Sequence, residues 1–240
     1  MYVPSDASGQ KIRQAETYGA EIVRVEGSRS EVERRAQRAW KSGEAFYASH
    51  ALSPYFIEGT KTIAFEIAEE LRGQNNHILL PDHMVFPVGG GSLFLGAWKG
   101  FSELLEAGLI ERIPKLHCIQ SEQCMPIISA FRTGMSDVKR VIEGETVAAG
   151  IMIANSLRGA KILEALRETS GTAEGVRDAD ILIQQRLIAR KAGIFAEPTS
   201  CAALAGLKQL REKGVIAADE TVVVPITGSG LKEPGATLAR

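Results

Sequence analysis

The 240-residue sequence contains few cysteines and no long apolar run. Cys118, Cys124 and Cys201 form no Cys-x-x-Cys pair and have no other spacing typical of metal ligands, so we expect reduced, packed thiols and no metal site. No segment is apolar enough to span a bilayer, and the N-terminus lacks the charged-then-apolar pattern of a signal peptide. These absences predict a cytoplasmic protein with no membrane partner.

The sequence also lacks a large excess of charge of either sign. The 28 basic and 29 acidic residues are mixed along the chain and give a formal net charge of −1. No basic stripe indicates binding to nucleic acid, and no acidic tail indicates an interaction arm. The remaining candidate partners are small molecules and further copies of the chain.

What the sequence does contain is an alternation of short apolar segments with longer periodic ones. The predicted strands cover residues 2–4, 20–27, 45–49, 83–88, 115–122 and 221–230. The predicted helices cover residues 8–19, 28–43, 59–73, 92–108, 158–171, 178–193 and 197–214. Strands that alternate with crossover helices predict an α/β fold with a mainly parallel sheet, covered on both faces by helices.

Three glycines stand between a predicted strand and a predicted helix. In "PVGGGS", Gly89, Gly90 and Gly91 precede Ser92. Glycines at this junction let successive backbone N–H groups turn toward one point at the positive end of the helix, and Ser92 adds a hydroxyl, so the segment predicts a phosphate site. It matches neither the P-loop nor the dinucleotide fingerprint. A purely structural turn is the alternative.

A second small-residue loop follows the last predicted strand, in "TVVVPITGSG". The carboxyl ends of parallel strands line one crevice, so Thr227 and the residues after it are expected at the same sheet edge as the glycines. Here too an ordinary turn is the alternative, because Gly-Ser-Gly is common where strands end.

Taken in order, "PVGGGSLFLGAWKGFSELL", "EPTSCAALAGLKQL" and "VVVPITGSGLKE" resemble the fold-type-II pyridoxal-phosphate enzymes, the tryptophan synthase β family. Within that family, "GTKTIAFEIAEEL" and "IANSLRGAKILEALRETSG" look most like the threonine synthase branch. The resemblance implies parallel sheets flanked by helices. It also implies that residues 1–57 are the remainder of a small mobile domain and that residues 58–240 form the large cofactor-binding domain.

The resemblance further implies a cofactor, pyridoxal 5'-phosphate, and an amino-acid substrate. Gly89, Gly90, Gly91 and Ser92 match the loop that holds the cofactor's phosphate, and Thr227 matches the hydroxyl residue at its ring nitrogen. Glu197 matches an acid near the cofactor. The alternative, equally well supported, is an ordinary acid at a helix N-terminus, where negative charge is favourable. The complete protein is expected to be a homodimer.

Three departures from the family pattern accompany this resemblance. The family's cofactor lysine and its partner asparagine lie upstream of the matching segment, so we expect an N-terminally truncated chain without the Schiff-base lysine. Lys61 matches an additional family lysine and is expected to be a solvated side chain. Phe56 stands where threonine synthases tend to have arginine, which weakens the case for a phosphorylated substrate.

Three hypotheses for function therefore stay open at the sequence level. The first is a threonine synthase-like lyase that converts phosphohomoserine to threonine. The second is a non-catalytic chain that retains the cofactor pocket as a binding module. The third is a related β-replacement or deaminase enzyme of the threonine or serine dehydratase kind, which Phe56 favours.

Overall fold

A computed structural model describes residues 1–5, 7, 9–27, 29–71, 73, 78–142 and 144–232. The chain forms two compact units, residues 1–50 and 51–240. The interpretation of residues 1–57 as part of a small mobile domain stays a prediction. Ser8, Ser28 and Arg72, which the sequence places in helices, lie outside the described residues.

In the first unit, the described residues form a two-stranded parallel sheet and two helices. Its elements in chain order are β1 (Tyr2–Pro4), α1 (Gly9–Thr17), β2 (Val23–Val25) and α2 (Arg29–Lys41). Val3 of β1 pairs with Arg24 of β2, and α2 packs against β1. The guanidinium of Arg35 lies 5.5 Å from the centre of the Tyr2 ring, a cation–π contact that holds the helix to the strand.

The second unit is built on a four-stranded parallel sheet with the order β5-β4-β3-β6. Its strands are β3 (His83–Pro87), β4 (Lys115–Ser121), β5 (Ala173–Val176) and β6 (Val222–Val223). Its helices are α3 (Pro54–Thr60), α4 (Thr62–Glu70), α5 (Ser92–Glu106), α6 (Pro126–Arg132), α7 (Gly159–Glu168), α8 (Asp178–Ala192) and α9 (Pro198–Glu212). This arrangement confirms the predicted α/β class.

Helices cover both faces of this sheet, and each face carries its own apolar core. In β3, Met84 and Phe86 belong to a core shared with α5 and α7, whereas Val85 belongs to a core shared with α9. The alternation follows from the period of two in a strand. None of the described helices is long and apolar enough to cross a membrane.

Two histidines form a buried pair inside the sheet. His117 Nδ1 accepts the Thr172 N–H (3.2 Å), so His117 Nε2 carries the proton and donates to His83 Nδ1 (2.8 Å). His83 Nε2 then faces Glu220 Oε2 at 3.1 Å. Burial is the main cause that lowers the pKa of His117 to about 3, so this imidazole is neutral at physiological pH.

Several predicted elements differ from those observed. Residues 45–49 form no strand, and Phe46 is 81% exposed, because none of the described strands pairs with this segment. Strand β5 was not predicted. The helix expected over residues 59–73 begins earlier, at Pro54, and is divided at Lys61 into α3 and α4. The last strand is limited to Val222–Val223.

Candidate functional site

The glycine loop connects the central strand β3 to the N-terminus of α5. Gly91 is the N-cap of α5 and has a φ of 77°, in the left-handed region that favours glycine. The Leu95 N–H donates to the Gly91 carbonyl (2.9 Å) and starts the helical ladder. The first-turn amides of a helix lie outside that ladder and carry partial positive charge, so this junction has the chemistry of an anion site.

Close packing under the loop requires glycine as well. A Cβ on Gly91 would overlap Ile162 Cδ1 of α7. A Cβ on Gly89 would lie 2.9 Å from Ile153 Cγ1 and 3.0 Å from Ile151 Cα. On one side, the backbone of the loop therefore packs directly against Ile151, Ile153 and Ile162, and this packing fixes the path of the loop.

Gln120 of β4 fixes the residue just before the glycines. Its fully buried side chain donates through Nε2 to the Val88 carbonyl (3.2 Å). Its Oε1 accepts the N–H groups of Ile127 (3.0 Å) and Ile128 (3.3 Å) at the start of α6. One side chain thus holds both the end of the central strand and a helix N-terminus.

Arg158 contacts the other end of the glycine segment. Its guanidinium donates to Ser92 Oγ (3.2 Å) and to the Ser53 carbonyl (3.1 Å). Burial lowers the pKa of Arg158. Arg158 nevertheless stays cationic, since a guanidinium keeps its proton in proteins, and it adds positive charge beside the loop.

Thr227 lies against the start of α9, beside Glu197 and Ser200. Thr227 Oγ1 is 2.8 Å from Ser200 Oγ and 3.3 Å from Glu197 Oε1. Glu197 is the N-cap residue of α9 but makes no side-chain cap hydrogen bond. Its carboxylate instead turns toward the hydroxyl of Thr227.

A short antiparallel contact fixes the Thr227 loop against α9. Ala196 pairs with Ser229, and the Glu197 N–H donates to the Gly228 carbonyl (2.9 Å). A Cβ on Gly228 would overlap the carboxylate of Glu197. Glycine at position 228 is thus what lets this carboxylate reach Thr227.

A bridge of contacts runs between the two loops. Strands β3 and β6 are parallel neighbours, so the loops that follow them leave the same edge of the sheet. The Gly150 carbonyl lies 3.2 Å from where a Cβ on Gly89 would stand, and the Gly150 N–H donates to Thr199 Oγ1 (3.1 Å). Thr199 is the neighbour of Ser200, which contacts Thr227.

Lys61 is held in a network of charges instead of standing free in solvent. Its ammonium is 2.7 Å from Glu58 Oε2 and 2.9 Å from Glu103 Oε2. Hydrogen bonds to Glu58 and then to Glu103 raise the pKa of Lys61. A protonated amine cannot attack a carbonyl, so this position does not favour imine formation.

The sequence pointed to both loops but missed the residues that support them. Gln120, Arg158, Thr199 and Ser200 were not singled out. Arg158 and Ser200 do lie within segments that carry the family resemblance, in "NSLRG" and "EPTSC", and that was the one signal available.

The fold and these loops define an α/β protein whose parallel sheet presents, at one edge, a glycine-rich loop before a helix N-terminus and the hydroxyl of Thr227. The chain belongs to the pyridoxal-phosphate dependent enzyme family, whose model matches residues 1–228. Pyridoxal phosphate is the cofactor of this family. The predicted membership is therefore confirmed.

Relatives and solved structures agree with this assignment. The chain is 39% identical over 228 residues to threonine synthase of Methanocaldococcus jannaschii, a match of 95% of this chain and 55% of that protein. It is also 39% identical over 224 residues to threonine synthase of Methanosarcina acetivorans, covering 93% of this chain and 54% of that protein. The chain spans about half the length of these relatives.

The solved structures confirm the fold-type-II architecture. Threonine deaminase isoform 2 of Solanum lycopersicum superposes with a TM-score of 0.79 at 20% identity, over 98% of this chain and 64% of that one. Serine racemase of Dictyostelium discoideum superposes with a TM-score of 0.74 at 19% identity, over 96% and 67%.

The donors at this sheet edge fit the family's cofactor. A phosphate suits the N-terminus of α5, where Gly91 removes the steric barrier and Arg158 adds a positive charge. An aromatic ring nitrogen suits the exposed hydroxyl of Thr227, whose Ser200 contact keeps it in place. The roles of Gly89, Gly90, Gly91, Ser92, Thr227 and Glu197 stay predictions.

Proposed function

We propose that this chain is the cofactor-binding part of a threonine synthase-like, pyridoxal phosphate-dependent lyase. The observation that supports this most is the common sheet edge of the glycine loop and Thr227, bridged through Gly150 and Thr199. The 39% identity to threonine synthases over nearly the whole chain adds to it. The reaction would convert phosphohomoserine and water to threonine and phosphate.

In this proposal each residue binds or orients. The amides after Val88, with Ser92, would hold the cofactor's phosphate, and Arg158 would add its charge at that point. Thr227 would meet the ring nitrogen, with Glu197 beside it. When bound, pyridoxal phosphate supplies an electron-withdrawing ring that stabilises negative charge on a substrate carbon.

A second candidate is a deaminase of the threonine or serine dehydratase kind. Phe56 supports it, because an apolar ring at this position cannot form the bidentate contacts of arginine with a substrate phosphate. A non-catalytic cofactor-binding module is the third candidate, supported by the ion pairs that keep Lys61 protonated. A cytoplasmic location and a homodimer of the complete protein also belong to the proposal.

Product analysis separates these candidates. The protein, expressed with any in-frame upstream sequence of its gene, is supplied with pyridoxal phosphate and incubated with phosphohomoserine, threonine or serine. Release of inorganic phosphate together with threonine supports the lyase. Ammonia from threonine or serine supports the deaminase, and no turnover despite tight cofactor binding supports the binding module.

A further inference from the structure

The hydroxyl of Ser200, a residue of α9, forms hydrogen bonds with the loop that follows β6. The side chain is fully buried, and its Oγ accepts the N–H groups of Thr227 (2.9 Å) and Gly228 (3.1 Å). Backbone amides only donate, so both lone pairs of this oxygen are used.

Because both lone pairs of Ser200 Oγ are used, the direction of its hydrogen bond with Thr227 Oγ1 can be assigned. A serine hydroxyl has two lone pairs and one proton, and only the proton is left. In the described part of the chain, the acceptor offered to it is Thr227 Oγ1 at 2.8 Å. Ser200 is therefore the donor in this pair, and Thr227 is the acceptor.

The proton of Thr227 must then point away from Ser200. Glu197 Oε1 lies 3.3 Å from Thr227 Oγ1, and a carboxylate only accepts. This is a long hydrogen bond, so a better-placed acceptor would compete with it. Thr227 is exposed whereas Ser200 is buried, so the hydroxyl that such an acceptor would reach is that of Thr227.

On the basis of the proposed function, we infer that Ser200 is a positioning residue that presents Thr227 as a hydrogen-bond donor to the ring nitrogen of the cofactor. The carboxylate of Glu197 competes for the same proton of Thr227, but its contact is long at 3.3 Å, so a ring nitrogen placed closer would take the proton. Only a ring nitrogen with a free lone pair can accept this proton. By donating to Thr227, the buried serine of α9 leaves the proton of Thr227 available to the ligand without touching the ligand itself.

The test compares two ligands by equilibrium fluorescence titration of the full chain. One is pyridoxal 5'-phosphate, and the other is its carbocyclic analogue, in which a C–H group replaces the ring nitrogen. The unaltered chain is expected to bind pyridoxal phosphate about tenfold more tightly than the analogue, as one hydrogen bond allows. Ser200→Ala and Thr227→Val should bring this ratio close to one, and Thr227→Ser should keep it.

Two further measurements separate loss of the Ser200–Thr227 hydrogen bond from a general loss of structure. Ser129→Ala removes a serine whose hydroxyl donates to the carbonyl of Met125, the N-cap residue of α6, and it should leave the ligand ratio unchanged. Amide hydrogen exchange of Thr227 and Gly228 should become faster in Ser200→Ala, because their acceptor is gone, but not in Thr227→Val.

Each outcome supports or overturns a distinct claim. An unchanged ligand ratio in Ser200→Ala overturns the role of Ser200 while leaving cofactor binding intact. Unchanged exchange of the two amides in that variant overturns the hydrogen-bond assignment itself. No binding of pyridoxal phosphate by the unaltered chain overturns the proposed function, and this inference with it.

Discussion

The side-chain amide of Gln120 donates to the carbonyl of Val88, the residue immediately before the three glycines, at 3.2 Å. The oxygen of the same amide accepts two N–H groups at the start of α6. The course of the glycine loop thus depends on a neutral, fully buried side chain of the neighbouring strand. A buried polar group of this kind specifies one arrangement, because any other leaves its partners unpaired.

Gln120→Leu is expected to lower the free energy of unfolding by about 2–4 kcal/mol, since it leaves several buried backbone groups without partners. Urea unfolding measures this change. The control is Gln14→Leu, at an exposed position of α1, which should stay within about 0.5 kcal/mol of the unaltered chain. Equal effects of the two substitutions would show that Gln120 does not hold the loop.

Gly91→Ala and Gly108→Ala form a matched pair at the two ends of α5. Both glycines have a positive φ, 77° and 69°, so alanine costs about 1–2 kcal/mol of backbone strain at either position. Only at Gly91 would the new methyl group also meet Ile162. Gly91→Ala should therefore destabilise the chain by about 1–3 kcal/mol more than Gly108→Ala.

The same pair tests the proposed phosphate site at the glycine loop. Gly91→Ala should weaken binding of pyridoxal phosphate by at least about tenfold, because the amides of the first turn of α5 are displaced. Gly108→Ala should leave the dissociation constant unchanged, since no described residue other than its chain neighbours lies within 4 Å of its added methyl group. Equal binding by the two variants would place the phosphate elsewhere.

The buried His83–His117 pair predicts a loss of stability in mild acid. The folded-state pKa of His117 is lowered to about 3, whereas an unfolded histidine titrates near 6.5, so the unfolded chain binds an extra proton between these values. The contribution of this group to the free energy of unfolding is fully present above about pH 6.5. As the pH decreases below that value, the contribution is lost by up to about 1.4 kcal/mol per pH unit.

The measurement is the slope of unfolding free energy against pH from 5 to 7, above the range where most carboxylates titrate. His117→Gln should flatten this slope even if it lowers stability at every pH, because the glutamine does not titrate. A variant with the slope of the unaltered chain would mean that another group takes up the proton.

Lys61 is expected to resist imine formation with pyridoxal phosphate. Its ammonium is fixed between Glu58 and Glu103, and these carboxylates raise its pKa. Borohydride reduction followed by peptide mapping should find no selective label at this residue, and Lys61→Arg should bind the cofactor as before. Stoichiometric labelling of Lys61 would make it the cofactor lysine of this chain.

The parts of the fold that the sequence predicted are those determined locally. An apolar strand, three glycines and an amphipathic run are enough to predict β3, the loop and α5. Strand β5 was missed because "AEGV" has only one β-branched residue, and its burial comes from β4 and α9. Residues 45–49 have strand composition, but no strand in the described part of the chain pairs with them.

The supporting residues of the site could not be predicted in the same way. Arg158 reaches Ser92 from 66 positions away, and Ser200 reaches Thr227 from 27. Such contacts depend on the packing of the whole second unit, and the family resemblance of the segments around Arg158 and Ser200 is the one local signal that points to these residues.

The most direct test of the central claim compares the affinities of the full chain for pyridoxal 5'-phosphate and for pyridoxal, which lacks the phosphate. If the amides after Val88 hold the phosphate, pyridoxal phosphate should bind at least about tenfold more tightly, and Gly91→Ala should abolish most of the difference. Equal affinities for the two ligands would contradict the account.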